Sequence, residues 1–127
     1  MPVWLTQREI VYFLQLTINE DGGLNGPVND GPLQSTLARP QNLMAYNPTV
    51  SIYELAATYG FGFARNHCFA DGNKRVALNA IDIFLMCNGV EFEPNEAEAV
   101  VMIRAVASGV VDEKKLASWI ENNSSYA

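Results

Sequence analysis

The chain has 127 residues, 49% of them apolar, and a formal charge of −6, so we predict a single domain over residues 1–127 with one packed core. An acidic chain lacks the broad basic face that non-specific nucleic-acid binding needs, and we predict no direct nucleic-acid partner. We also expect no signal peptide and no membrane partner, because a membrane span needs about 20 mostly apolar residues in a row. Cys68 and Cys87 are interpreted as buried free thiols in a reducing, cytoplasmic compartment.

Helix and loop signals alternate in the first part of the chain. A capping box predicts a helix over residues 6–20, and a run rich in Gly, Asn and Pro predicts a loop over residues 22–31. A short helix is expected over residues 32–38, because Pro40 disfavours a continuing helix. Residues 40–48 suit an irregular segment or a short β-hairpin, which would be either a binding flap or an ordinary connecting loop.

The strongest helix signals lie in the middle of the chain. Ser51 opens a capping box that predicts a helix over residues 51–65, and a polar turn follows over residues 66–72. A long helix is predicted over residues 73–87, where the next two residues, Asn and Gly, are a typical stop signal. Because the helix 73–87 is apolar around most of its circumference, we interpret it as central and buried.

Two more helices are predicted in the last part of the chain. Residues 91–94 suit a short extended link, and Asn95 and Asp112 can cap helices that run to about residues 107 and 122. The tail 123–127 is expected to fray, and no strand pattern stands out. The predicted fold class is therefore all-α, a helical bundle around the helix 73–87, with a short β-hairpin flap as an option.

The segment 67–75 concentrates polar and charged side chains at the start of the predicted central helix. A helix N-terminus presents unpaired N–H groups and a partial positive charge, which attract phosphate. Gly72 would let a ligand approach the backbone closely. The N–H groups of Asn73, Lys74 and Arg75 would then face that ligand, and the last two side chains add full positive charges. Together these residues predict a phosphate-binding site.

Three further residues have candidate roles at this site, each with a plainer alternative. Asp71 would repel a bare phosphate but would suit a Mg²⁺ ion that bridges it to phosphate oxygens. Histidine changes its charge near neutral pH, so His67, the single histidine, could accept a hydroxyl proton. Arg65 could reach the same anion or form a structural salt bridge. Taken singly, each residue would also suit an ordinary turn or a solvated surface.

The same segment resembles a known family signature. The Fic superfamily carries the pattern His-x-Phe-x-(Asp/Glu)-Gly-Asn-x-Arg, which segment 67–75 matches position by position. The AMP-transferring branch has glycine between the Asn and the Arg and a second arginine three residues later, where this chain has Lys74 and Leu78. The segment is therefore similar to the death-on-curing (Doc) branch instead. Segments 38–42 and 63–67 resemble that branch as well.

The resemblance implies a Fic/Doc-like fold and a toxin of a toxin–antitoxin module, a kinase that transfers phosphate from ATP with Mg²⁺. The implied acceptor is a threonine of elongation factor Tu, whose modification blocks translation. The implied site roles are His67 as general base, Asp71 as Mg²⁺ ligand, and Gly72, Asn73, Lys74 and Arg75 as the ATP phosphate cradle, with Arg65 as a second-tier member. Two alternatives stay open, namely a Fic-type AMP or nucleotidyl transferase and a catalytically inactive interaction module.

Many Fic relatives carry a self-inhibiting helix in which a Ser or Thr stands four residues before a glutamate. No glutamate of this chain has a Ser or Thr at that position. The resemblance therefore implies that inhibition comes from a separate protein, the cognate antitoxin.

Overall fold

Helices dominate the part of the chain that the computed structural model describes, which comprises residues 1–12, 28–70 and 72–127. This composition confirms the predicted all-helical fold class. The end of the predicted first helix and most of the predicted loop 22–31 lie outside the described residues. In chain order the elements are α1 (described over residues 7–12), α2 (Asp30–Tyr46), α3 (Ile52–Arg65), α4 (Asn73–Cys87), β1 (Val90–Phe92), α5 (Glu96–Ala107), α6 (Glu113–Asn122) and β2 (Ser124–Tyr126).

Side-chain caps begin three of these helices where the sequence predicts them. In each cap, a side-chain oxygen accepts the N–H of the residue three positions later, which satisfies one unpaired donor of the first turn and contributes about 1 kcal/mol. The acceptor and donor residues are Ser51 and Glu54 at 3.1 Å, Asn95 and Glu98 at 3.0 Å, and Asp112 and Lys115 at 2.8 Å.

The second helix departs most from the prediction, because α2 starts at Asp30 and runs through Pro40 to Tyr46. The predictions of a short helix over residues 32–38 and of an irregular or hairpin segment over residues 40–48 were therefore wrong. A proline inside a helix removes one hydrogen bond and costs about 3 kcal/mol. Here Leu33, Leu37 and Pro40 are buried while α2 packs against α3, and this apolar burial outweighs the cost of the proline.

The helix at the centre of the bundle is α3, not the predicted α4. Helices α2, α4, α5 and α6 all pack against α3, whereas α4 buries one face and exposes Lys74, Arg75 and Met86 on another. The small residues of α3 allow this close packing, because a Cβ at Gly60 would overlap the Ile81 side chain of α4. A central helix in this bundle is therefore distinguished by small residues rather than by an all-apolar circumference.

The C-terminal tail is ordered rather than frayed, which corrects a second prediction. Strand β2 pairs antiparallel with β1, with Val90 opposite Tyr126. Phe92 in β1 packs edge-on against Trp119 of α6, with ring centroids 5.6 Å apart. The pairing provides hydrogen-bond partners for backbone groups of both segments. The expected extended link is therefore a strand because the C-terminal tail pairs with it.

The two cysteines differ in environment. Cys68 is buried and Cys87 is exposed, so the prediction of two buried thiols was right for one of them only. Burial raises the pKa of the Cys68 thiol, which keeps it neutral.

No helix in the described ranges is long and apolar enough to cross a bilayer.

Candidate functional site

An open cavity of about 570 Å³ lies between the loop that precedes α4, the first turn of α4 and one face of α5. Its apolar wall includes Leu78 from α4 and Val100, Ile103 and Ala107 from α5. The polar and glycine residues that line it are His67, Gly72, Asn73, Lys74, Arg75 and Arg104. The structure thus brings together five predicted site residues and adds Arg104, which the sequence analysis did not propose.

The first turn of α4 supplies backbone donors to this cavity. Gly72 precedes the helix in the left-handed conformation, with φ 80° and ψ 9°, which glycine adopts without the penalty that a Cβ imposes. The N–H of Val76 donates to the Gly72 carbonyl at 2.9 Å, which is the first hydrogen bond of α4. The N–H groups of Asn73 and Lys74 precede that bond, so they have no acceptor within α4. Such a helix end carries a partial positive charge and favours an anion.

Three cationic side chains face the same cavity. Lys74 and Arg75 come from α4 and Arg104 comes from α5, while no carboxylate is present among the described lining residues. Within the part of the chain that the structure describes, neither Lys74 nor Arg104 forms an ion pair. Like charges around one cavity repel each other, and a bound polyanion would relieve that repulsion. The cavity therefore suits a ligand with several negative charges, such as a nucleotide phosphate chain.

His67 lies at the edge of the cavity with an exposed side chain. Its backbone adopts φ 51°, the left-handed region that is uncommon for residues with a side chain. An imidazole beside an anion site can take a proton from an attacking hydroxyl group, provided that the hydroxyl comes within hydrogen-bond reach. The geometry is therefore compatible with the predicted general base.

Asn73, which lines the cavity, also holds the loop through its side chain. Its Oδ1 accepts the Phe69 N–H at 3.1 Å, and its Nδ2 donates to the Phe69 carbonyl at 2.9 Å. Phe69 is buried, with its ring stacked on Phe63 at 6.3 Å between centroids. Both ends of the amide thus bind the loop backbone, and the backbone N–H of Asn73 is the group that best suits the predicted role of phosphate ligand.

Arg65 is not among the residues that line the cavity. Its guanidinium carbon lies 5.1 Å from the centroid of the Phe61 ring, one helical turn earlier in α3. Residues four apart share a helix face, so Arg65 lies on the same face of α3 as Phe61. Its neighbour Ala64 lies on the face that lines the cavity. The structure therefore brings Arg65 neither to the anion site nor to an ion pair with a described residue.

The predicted metal ligand, Asp71, lies outside the described residues. Among the residues that are described, no group of three or more His, Cys, Asp or Glu side chains could hold a metal ion. The Mg²⁺ site at Asp71 stays a prediction from the family resemblance.

Arg104 and Asn29 are the site residues that sequence reasoning missed. Arg104 is the only charged residue in the apolar run 99–111, and that isolation was the available signal. Asn29 donates two hydrogen bonds to the loop that carries His67. It lies in a polar stretch 38 positions away, where no local pattern points to this contact.

A cationic cavity at a helix N-terminus, with a histidine among its lining residues, has the features of a phosphate-binding site. Residues 4–85 match the Fic/DOC family, and the chain belongs to that family. The match includes the loop and α4 up to residue 85, whereas Arg104 lies beyond it.

Two relatives show the same likeness. The chain is similar to a protein named Protein kinase doc from Escherichia phage P1, with 36% identity over 87 residues, which are 68% of this chain and 69% of that protein. It is also similar to Toxin Doc from Mycolicibacterium smegmatis (strain ATCC 700084 / mc(2)155), with 37% identity over 73 residues, which are 54% of this chain and 56% of that protein.

Proposed function

We propose that this protein is the toxin of a toxin–antitoxin module and that it transfers phosphate from ATP to a protein hydroxyl. The Fic/DOC match and the names of the two relatives, one a protein kinase and one a toxin, support a transferase of the Fic/Doc type. The observation that carries the proposal is that His67 lines the same cavity as the N-terminus of α4 and its cations. A threonine of elongation factor Tu is the acceptor that we propose.

The described residues suit the phosphate chain of ATP. The N–H groups at the start of α4 would donate to phosphate oxygens, and Lys74, Arg75 and Arg104 would neutralise their charge. Leu78, Val100 and Ile103 offer apolar surface to the rest of the nucleotide. Bound ATP and Mg²⁺ would supply the transferable phosphoryl group and part of the charge neutralisation, with Asp71 as the proposed metal ligand.

His67 would perform the proton transfer of the reaction. An acceptor hydroxyl that enters the open side of the cavity would donate its proton to the imidazole as its oxygen attacks the γ-phosphorus of ATP. The bond from that phosphorus to the oxygen that bridges it to the β-phosphate would break, and ADP would leave. The helix N-terminus and the cations would hold the phosphoryl group in line for that attack, since positioning and electrostatics provide most of the catalysis in phosphoryl transfer.

The decisive experiment is to incubate the purified chain with ATP, Mg²⁺ and elongation factor Tu and to measure the mass of the acceptor. We expect a gain of about 80 Da, which is one phosphate, and an AMP transferase would instead add about 329 Da. His67→Ala should abolish the gain, and Gln41→Ala, an exposed change on α2 outside the cavity, should retain it. An unmodified acceptor would favour the interaction module.

A growth assay tests the proposed role in the cell. Expression of the native chain should stop growth, and expression of His67→Ala should not. Co-expression of the cognate antitoxin should restore growth with the native chain. Equal growth arrest by both chains would contradict a catalytic toxin.

A further inference from the structure

The backbone of His67 needs support from outside its own loop. Its φ of 51° lies in the left-handed region, which is less favourable than the right-handed region for a residue with a Cβ. Such a conformation persists only where surrounding structure holds it. Because the His67 side chain is exposed at the cavity, the holding contacts have to act on its backbone.

Those contacts come from the residues just before α2. The backbone N–H of Asn29 donates to the Cys68 carbonyl at 2.8 Å, and its side-chain Nδ2 donates to the His67 carbonyl at 2.5 Å. Next to it, Val28 forms an antiparallel bridge with Phe69. Three successive loop residues are therefore held by two residues that lie far away in the sequence.

Asn29 makes these bonds instead of its usual local one. It stands at the N-cap of α2, where an asparagine side chain normally accepts an N–H of its own helix and so stabilises the first turn. The Asn29 side chain makes no such bond and donates to His67 instead. The hydrogen bond to the loop thus replaces a bond that would stabilise α2. This replacement indicates that the Asn29 side chain serves to fix the conformation of the loop.

A second contact from α2 holds the residues on either side of His67. The Thr36 hydroxyl donates to the Pro32 carbonyl at 2.8 Å and accepts from Asn66 Nδ2 at 2.9 Å. It also lies 3.4 Å from Cys68 Sγ. The side chains of Asn66 and Cys68 both contact the buried Thr36 hydroxyl. The orientation of the His67 peptide between them is then fixed by its hydrogen bond from Asn29.

We propose that Asn29 is a positioning residue, which holds the His67 peptide in its left-handed conformation and so directs the imidazole to the cavity. The kinetic part of this proposal rests on the proposed function, because it assumes that His67 is the general base. The structural part does not, since His67 is the single histidine of the chain and nuclear magnetic resonance therefore shows one set of imidazole signals.

The test compares Asn29→Ser with Asn123→Ser. Serine is a good, uncharged N-cap, so the first change preserves α2, but its side chain is too short to reach the His67 carbonyl. Asn123 is a matched control, because its side chain also donates to a backbone carbonyl, that of Trp119 at 2.8 Å, and neither residue lines the cavity. Both variants are measured by thermal unfolding, by the His67 resonances and by phosphate transfer to elongation factor Tu.

We expect Asn29→Ser to shift the imidazole and backbone amide signals of His67, while the melting temperature stays within about 2 °C. We also expect kcat to fall about tenfold, with KM for ATP within about twofold, because nucleotide binding uses other groups. Asn123→Ser should change neither the His67 signals nor kcat.

Unchanged His67 signals in Asn29→Ser would overturn the proposal, even if the variant is less stable, because Asn29 would then have only a structural role. Shifted signals with an unchanged kcat in an active enzyme would overturn it as well. If the native chain transfers no phosphate, the proposed function fails, and the resonances still decide whether Asn29 positions His67.

Discussion

Arg104 projects from α5 into the cavity that the first turn of α4 opens. It reaches the site from an element that follows α4 by two connections, and it brings a guanidinium group close to two other cations. An arginine can bind a phosphate through two parallel hydrogen bonds, which fixes the orientation of the anion as well as its charge. We therefore assign Arg104 a share of the phosphate binding in the proposed function.

Replacing Arg104 with alanine should weaken nucleotide binding. A charge-assisted hydrogen bond at an exposed site is worth about 1.5 kcal/mol, so Kd for a non-hydrolysable ATP analogue should rise about tenfold. Titration calorimetry measures this change. Lys115→Ala removes the same charge from an exposed position on α6 outside the cavity and should leave Kd within about twofold. Equal effects of both changes would mean that only net charge matters.

Tyr59 makes stability depend on pH in the alkaline range. It is fully buried, its hydroxyl oxygen accepts the Leu5 N–H at 3.1 Å, and burial raises its pKa to about 12. The folded protein therefore holds the phenolic proton more tightly than the unfolded chain, whose tyrosine titrates near pH 10, roughly. Stability from this group is complete below the unfolded value and is lost as pH rises from about 10 towards 12.

The expected loss is about 1.4 kcal/mol of unfolding free energy at about pH 11 relative to about pH 8. Urea unfolding at the two pH values measures it. In Tyr59→Phe the same pH step should cost less by about that amount, and an identical pH dependence in both proteins would contradict the assignment.

At the scale of elements, the approach of α2 to α3 supports the site. Gly62 of α3 faces Thr36 of α2, and a Cβ at position 62 would lie 2.7 Å from Thr36 Cγ2. The same threonine binds Asn66 and contacts Cys68 through its hydroxyl. The absence of a side chain at Gly62 thus allows α2 to come close enough to hold the loop.

Gly62→Ala should separate the two helices and cost about 2 kcal/mol of stability, as overpacking in a buried contact does. Thr36→Ser removes the methyl group that the new Cβ meets and keeps the hydroxyl. The double change should therefore cost about 1 kcal/mol less than the sum of the single changes, as a double-mutant cycle by urea unfolding would show. Strict additivity would place the cost of Gly62→Ala elsewhere.

At the scale of the whole molecule, charge is unevenly distributed. The chain carries a formal charge of −6 and has 8 Lys and Arg residues, of which Lys74, Arg75 and Arg104 line one cavity. An acidic body repels polyanions in general, whereas the three cations of the cavity attract them. This arrangement favours a small anionic ligand over a long nucleic acid, whose binding would need an extended basic surface.

Ionic strength should therefore control ligand affinity. The cavity is open, so salt screens its cations, and Kd for inorganic tripolyphosphate should rise about tenfold between about 0.05 M and about 0.5 M salt. Arg104→Ala should show a weaker dependence, because it has one charge fewer in the cavity. Calorimetry at several salt concentrations measures both slopes, and equal slopes would exclude Arg104 from the binding site.

Local signals predicted much of the helical framework. The caps at Ser51, Asn95 and Asp112 and the bounds of α4 follow from residues within a few positions of one another. The predictions that failed depended on distant partners. Pro40 stays helical because α2 packs on α3, and the tail forms a strand because β1 accepts it.

The same distinction applies to the function. A glycine, basic side chains and a histidine around one helix start are enough to predict a phosphate site, because the donors of a helix N-terminus are created within a single turn. Only the tertiary structure decided which residues complete it, since Arg104 joins from α5 and Asn29 holds the His67 backbone from 38 positions away. Chain folding sets those distances through packing of the whole bundle, which no neighbouring residues encode.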